Sequence, residues 1–491
     1  MNKSMRWFDY ITINIYQIGL GIASGILTPL LLPYLVAVFM PIEYKNSYLA
    51  TVRVIGLTVA MMIQPLAGML SDRSSHPLGR RRPFIILSAV ANIICLLGIG
   101  LTPLLLGTPL DASMRGSLGI SAAYLALIAA VIVMQFFSNF GQAAFQGIIP
   151  DVVPANQRGR ASGVKAIFEL IPSLVVIFIG PMIDRGQIWL PVVIIVSCFG
   201  ISALISLFGI RETPQPKQPA ESLREPFWRF FLLAAIFVAI SQGAVFLTRS
   251  AGGWLSAAGA ALPLQVVLVG AAGLLAMAGS IFIGVYFGAR TGIGKEATQQ
   301  SSFIWWVINR LLFLSAIGSI QGFAQYYLAD VMHVDKPASA TTMLLAVVAV
   351  FLMISAVSGG YLADRIGRKK LVGVAGGVAA LGTLVLLLAP NMTVVIIAGC
   401  IIGLGTGTFM ATNWALGTDL VPAKDAGRYL GISNLAGAGA GIVGAGIGGP
   451  LADFFNKLQP GLGYIIIFAL YGALFLISVL TLVKVKPPLK S

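Results

Sequence analysis

Apolar residues in this chain come in long unbroken runs, not in the alternating or one-sided patterns of a soluble fold. Runs of about 20 residues or more cover 11–39, 48–71, 84–107, 119–146, 164–183 and 188–210, then 230–248, 264–288, 303–329, 338–361, 371–390, 393–418, 429–452 and 462–483. A helix of that length crosses about 30 Å of hydrocarbon, and it satisfies its own backbone polar groups where no water can. The pattern predicts fourteen transmembrane helices in an all-α polytopic membrane protein. The first run is too long for the apolar part of a secretory signal and lacks a clear small-residue cleavage site, so it reads as a retained helix. Between the sixth and seventh runs, 211–229 is polar and holds Pro214, Pro216, Pro219 and Pro226, as a linker would.

The charges between the runs supply an orientation. With the N-terminus inside, 24 Lys and Arg fall on cytoplasmic segments and 7 on outer ones, while Arg310 lies within a span. This is the positive-inside bias, and dropping one helix would invert every later loop and destroy it. Both termini are therefore expected in the cytoplasm, with the chain in an inner or plasma membrane. Only 10% of residues are charged and 57% are hydrophobic, against roughly 25% charged in soluble domains. The net charge of +15 forms no single basic face, so the expected surroundings are a lipid bilayer and no nucleic-acid partner is expected. Cys95, Cys198 and Cys400 all lie in apolar runs, so no disulfide framework is expected.

The two ends of the chain resemble each other. Gly68-Met-Leu-Ser-Asp72-Arg73 followed by Gly79-Arg80-Arg81-Arg82 corresponds to Gly360-Tyr-Leu-Ala-Asp364-Arg365 followed by Gly367-Arg368-Lys369-Lys370. Asp151-Val-Val-Pro-Ala-Asn-Gln-Arg158-Gly-Arg160 corresponds to Asp419-Leu-Val-Pro-Ala-Lys-Asp-Ala-Gly-Arg428. Gly180-Pro181-Met-Ile-Asp184 corresponds to Gly449-Pro450-Leu-Ala-Asp453. Three matches in one order predict two homologous six-helix bundles. The expected domains are 1–211, the N-terminal bundle; 212–300, a cytoplasmic linker with an inserted two-helix hairpin; and 301–491, the C-terminal bundle.

The paired Gly-x-Leu-x-Asp-Arg and Gly-Arg-Arg/Lys loops resemble the signature of the major facilitator superfamily, over nearly the whole chain except the hairpin. The run Ser71-Asp72-Arg73 to Gly79-Arg-Arg-Arg82-Pro-Phe-Ile85 is similar to the glycoside–cation and sucrose–proton symporter branch. The resemblance implies a secondary active transporter that moves a sugar-like solute with a cation such as H+ by alternating access, a monomer without a cofactor. It implies a conformational latch at Asp72, Arg73, Gly79, Arg80, Arg81, Arg82, Asp364, Arg365, Gly367, Arg368 and Lys369. Alternatively, these arginines only set topology and bind anionic headgroups. Two departures stand out: those symporters generally have twelve helices, and the sucrose type carries a coupling acid in its fourth helix, which has no Asp or Glu here. Fourteen helices are instead similar to the drug–proton antiporters, so a proton-driven exporter is the second reading. Their fifth-helix Gly-Pro-x-x-Gly-Gly motif is incomplete here, with Asp184 and Arg185 after Gly180-Pro181.

Candidate binding groups come from polar residues inside spans, which are costly unless they face a cavity or one another. The fourth helix carries Gln135, Asn139, Gln142 and Gln146 on one face, and the first carries Asn14 and Gln17. The ninth carries Gln321 and Gln325 beside Tyr326 and Tyr327, and the twelfth Asn413 and Trp414. Amides and rings suit a neutral polyhydroxylated solute, or else they bond neighbouring helices. Coupling needs a group that changes charge. Of 17 acids only Glu169 sits inside a helix; it is a proton-acceptor candidate, or a quiet ion pair with Lys165 one turn earlier. Arg310 either pairs with a solute anion or Glu169, or snorkels to the surface. Asp151, Arg158, Arg160, Asp419 and Arg428 mark the repeat loop. Gly439-Ala-Gly441-Ile-Val-Gly444 follows no strand and Gly292-Ile-Gly294-Lys295-Glu296 has the wrong spacing, so neither is a nucleotide site. With no metal-ligand cluster and no nucleophile motif, the chain is not expected to be an enzyme or to hold a metal.

Overall fold

The structure, a computed structural model, describes residues 5–154, 157–210, 212, 222–292, 301–420 and 426–486. Among them are fourteen helices long and apolar enough to span a membrane, and no strand. They are α1 (Trp7–Phe39), α2 (Ile42–Asp72), α3 (Arg82–Leu105), α4 (Ala122–Gln146), α5 (Ile167–Asp184), α6 (Trp189–Gly209) and α7 (Arg224–Ala257). After these come α8 (Leu262–Thr291), α9 (Ser301–Asp330), α10 (Pro337–Ala363), α11 (Arg368–Leu387), α12 (Met392–Asp419), α13 (Gly437–Leu458) and α14 (Leu462–Lys484).

The number of spans agrees with the apolar runs, while several ends do not. Helix α7 runs well past both ends of the apolar run at 230–248, because that run marks hydrocarbon while a helix continues until its backbone is capped. The chain also forms a helix outside the spans, Pro109–Leu118, too polar to register as a crossing. Its local signals are clear: Thr108 accepts the Asp111 N–H, Pro109 opens the helix, and Gly119 closes it at φ +67°. Asp111 then takes the Ser121 hydroxyl at 2.7 Å and the Ala122 N–H at 2.9 Å, which ties that helix to the start of α4. The Ser121 bond, followed by that of Arg115, holds the Asp111 carboxyl well below the usual carboxylate range.

The side-chain pattern is that of a lipid-immersed body. On α3, Leu87, Val90, Ile94, Leu97 and Leu101 form an exposed apolar stripe, while Ser88 and Asn92 face inward and are buried. Water would reverse this arrangement; a bilayer favours it. Helices α9 and α13 are the most enclosed of the fourteen. Helix α1 is irregular: it carries Pro29 and Pro33, and its segment Leu27–Leu31 is a π-helical turn in which the Leu32 N–H reaches the Leu27 carbonyl. Proline lacks the N–H for a normal rung, and the wider turn absorbs it.

The described residues gather into two compact units, Met1–Met40 with Met62–Trp228, and Pro41–Met61 with Arg229–Ser491. Helix α2 is thus divided at Met61. Pro65 lies inside it and offers no N–H to the carbonyl of Met61, four residues back.

Within the second unit, the α7–α8 hairpin docks by a ring-into-glycine fit. Phe237 is 1% exposed, and a Cβ added at Gly284 of α8 or Gly439 of α13 would run into its ring. The Ser241 hydroxyl reaches the Ile442 carbonyl at 3.4 Å, and Phe454 covers Gly252. Lipid gives no hydrophobic drive for helix association, so close packing of this kind has to supply it. Phe237→Ala is expected to lower stability by about 1–3 kcal/mol, read as thermal unfolding in detergent. Phe246→Ala, at a ring 70% exposed, is expected to change little.

Candidate functional site

In the first unit the signature loop folds back on its own bundle. Gly79 turns the chain at φ +106°, a left-handed conformation that a Cβ would strain. The Glu212 side chain then accepts the backbone N–H groups of Arg81 at 2.9 Å and Arg82 at 3.1 Å, capping α3. Arg81, 5% exposed, donates Nε to Asp151 at 2.8 Å and also meets Asp72 and the Ser71 hydroxyl. Arg80 joins the same Asp151 carboxylate. Burial raises the affinity of Asp151 for a proton, but the Arg80 and Arg81 hydrogen bonds outweigh it and hold the group below its usual range.

The second unit repeats this joint at equivalent positions. Gly367 turns at φ +96°, and Arg368 Nη1 donates to Asp419 at 2.6 Å and to the Ala415 carbonyl at 3.1 Å. Arg80 and Arg368 are repeat partners, and so are Asp151 and Asp419. The copies differ in burial. The Arg368 and Asp419 side chains are 34% and 42% exposed, whereas those of Arg81 and Asp151 are 6% and 20% exposed. Arg365 covers the Tyr361 ring at 4.6 Å, and Lys369 is half-buried. Arg160 is exposed and Arg73 partly so. The side chains of Asp364, Arg158 and Arg428 lie outside the described residues.

The amide stripes separate on inspection. Asn14 is buried and donates to the carbonyls of Tyr10 at 2.9 Å and Ala161 at 3.1 Å, so it binds α1 to the helix leading into α5. Asn139 turns back on Gln135, donating to its carbonyl at 2.8 Å. Gln17 and Gln142 are half-buried and Gln146 is exposed. Tyr16, Ser88, Asn92 and Ser138 form a polar thread through α1, α3 and α4, with Ser138 donating to Asn92 at 2.6 Å and Tyr16 meeting Ser88 at 3.2 Å. Asn92 was missed in the sequence because it stands alone in its run. Glu169 is exposed, 3.8 Å from Lys165.

In the second unit, Asn413 is the centre of a denser cluster. Its amide donates to Asn309 at 2.9 Å, its carbonyl accepts Trp306 Nε1 at 2.9 Å, and its side-chain oxygen accepts Arg310 Nη1 at 3.3 Å. Asn309 donates onward to the Ser478 carbonyl at 2.8 Å, and the Arg310 guanidinium lies 5.0 Å from the Trp414 ring. The signal for Asn309 was its place beside Arg310, one turn after Trp306. Gln321 lies farther along α9 on a mostly apolar cavity of about 50 Å³ with Tyr327 and Phe468, and Gln325 is buried.

A second cluster in this unit gathers at the start of α2. Asp453, from the third repeat pair, accepts the N–H groups of Asn46 at 3.2 Å and Ser47 at 2.7 Å, the free donors of a helix start. Lys45 pairs with Asp330 at 2.6 Å, and Tyr464 bonds Asp330 at 2.7 Å and accepts from Asn46 at 3.2 Å.

Residues 307–491 match the Major Facilitator Superfamily model. The chain is 30% identical over 144 residues to myo-inositol transporter 2 of Schizosaccharomyces pombe, covering 28% of this chain and 26% of that protein. It is 30% identical over 142 residues to the glucose transporter GlcP of Staphylococcus epidermidis, covering 28% and 31%. These matches thus span less than a third of either relative. Among solved structures, a D-xylose–proton symporter superposes with TM-score 0.62 at 16% identity, covering 98% of both chains. A POT family transporter in complex with a thioalcohol-conjugated peptide gives 0.65 at 13%, covering 96% of this chain and 94% of the other.

The two joints make unequal predictions. Asp151→Asn is expected to cost about 1.5–3 kcal/mol, since it breaks charge-assisted bonds to a buried arginine; Asp419→Asn, at an exposed pair, is expected to cost less than about 1 kcal/mol. Because the Asp151 carboxyl is held low, its contribution is complete above the usual carboxylate value and fades as pH falls through the lowered one. Thermal unfolding from pH 6 down to about pH 3 should therefore show a shallower acid limb for Asp151→Asn than for the parent chain. The likeness is to membrane transporters: residues 307–491 match the Major Facilitator Superfamily model, and the chain as a whole shares the fold of solved transporters.

Proposed function

We propose that the chain is a secondary active transporter that moves a small polyhydroxylated solute, a sugar or a polyol, together with a cation, H+, by alternating access. The carrying observation is the duplicated joint, Arg80 with Asp151 and Arg368 with Asp419. It supports two homologous halves, 1–211 and 301–491, with the cytoplasmic linker and inserted hairpin of 212–300 between them. Charged contacts of this kind exist in one state and can break in another, so they bias a two-state motion. On this reading Asp72, Arg73, Asp364 and Arg365 belong to the latch, and both termini are cytoplasmic. The solute class is supported by the inositol and glucose transporters among the relatives and by the amide and indole groups at Asn413 and Trp414.

Glu169 is the proposed proton carrier, since it is the sole acid inside an apolar run. In proteoliposomes, an inward proton gradient is expected to speed uptake of labelled myo-inositol or glucose several-fold. Glu169→Gln is expected to slow that uptake while sparing solute exchange. Absence of uptake and of counterflow for every sugar and polyol, under any gradient, would sink the reading.

A further inference from the structure

This chain gives some cations a carboxylate and leaves others without one. Lys45 has Asp330, Arg81 has Asp72 and Asp151, and Arg368 has Asp419. Arg53 and Arg310, both in spans of the second unit, have no carboxylate among the described residues. Arg53 Nη2 donates to the Gly318 carbonyl at 2.9 Å, and its Nη1, shielded from solvent, bonds nothing. Among the described residues Arg310 donates through Nη1, at 3.3 Å, to Asn413. Its Nε is shielded and unbonded, and the Trp414 ring lies alongside.

A lone cation at mid-membrane costs several kcal/mol. One long hydrogen bond and an indole face offset only part of that. The edge left open is informative, because carboxylates and phosphates bind guanidinium side-on through Nε and the adjacent Nη. The Nε of that edge has no hydrogen-bond partner among the described residues, while the opposite nitrogen is fixed by Asn413. Asn413 is in turn fixed by Asn309 and Trp306, so the fork stands on a rigid base. Arg53 meets the same helix, α9, at Gly318, eight residues or about 12 Å farther along.

We propose that the solute carries an oxyanion, a carboxylate or phosphate on a polyhydroxylated skeleton, and that Arg310 binds it side-on, with Asn413 and Trp414 holding the guanidinium and the sugar face. Arg53 supplies a second positive station along α9. This rests on the transporter reading and narrows its substrate to an anionic sugar or polyol.

The test uses the full-length protein in proteoliposomes with labelled D-gluconate, D-glucose 6-phosphate and myo-inositol as separate probes. The expected result is uptake of gluconate or of the sugar phosphate, whichever chemistry the fork takes, at least about tenfold faster than myo-inositol. Arg310→Gln should raise the KM for that anion about tenfold or more, and Arg310→Lys less, since it keeps the charge but loses the fork. Thermal stabilisation of the detergent-solubilised protein by the same anion should follow the same order. Uptake of myo-inositol without uptake of either anion overturns the inference and leaves the transporter reading standing; no uptake of any probe overturns both. An anion KM unchanged in Arg310→Gln also overturns it. Where that variant does not fold, an unchanged KM in Arg310→Lys does the same.

Discussion

Hydrocarbon offers no partner to a polar group, and this constraint organises the molecule. Backbone groups meet it by forming helices; side chains must meet it with one another. The apolar stripe of α3 faces outward because lipid accepts it, and Ser88 and Asn92 turn inward because lipid does not. Once outward positions are closed to polar groups, every amide and every charge inside a span becomes a statement about what it touches. Asn14 answers to the Ala161 carbonyl and Asn413 to Asn309 and Trp306. The few that find no answer, above all the open edge of Arg310, are where a solute has most to offer.

Much of this is written in the sequence at long range. Apolar runs of spanning length identify the fourteen helices, because a bilayer sets their minimum length independently of packing. The repeat is readable because Gly79 and Gly367 are held to a conformation other residues resist, and because Asp151 and Asp419 each have an arginine to meet. Helix ends are less legible: α7 continues beyond its apolar run, and the helix Pro109–Leu118 carries too many polar residues to register as a crossing. Partner choice within a helix is less legible still. A stripe of amides fixes a face but not an assignment, so Asn139 and Gln135, spaced like two members of a cavity wall, bond each other. Asn309 and Asn92 stand outside any stripe, and only the fold shows their partners.

Duplication has also left the two signature joints unlike in strength. The first copy has Glu212 capping the next helix and Arg81 sunk among Ser71, Asp72 and Asp151. Among the described residues, the second keeps the glycine turn and the Arg368–Asp419 pair near water. The same skeleton therefore carries a stiff copy and a soft one. Part of this difference follows from one position, since Arg81 corresponds to Lys369, and an ammonium cannot reproduce the planar fork that lets Arg81 hold several partners.

Helix α2 is fastened at both of its ends. Its first residues are clasped by Asp453, Asp330 and Tyr464, and its last by Arg81, so one rod is anchored in two different bodies. Proline leaves the rung between Met61 and Pro65 unmade, so the rod is least braced along its own axis where its membership passes from one unit to the other.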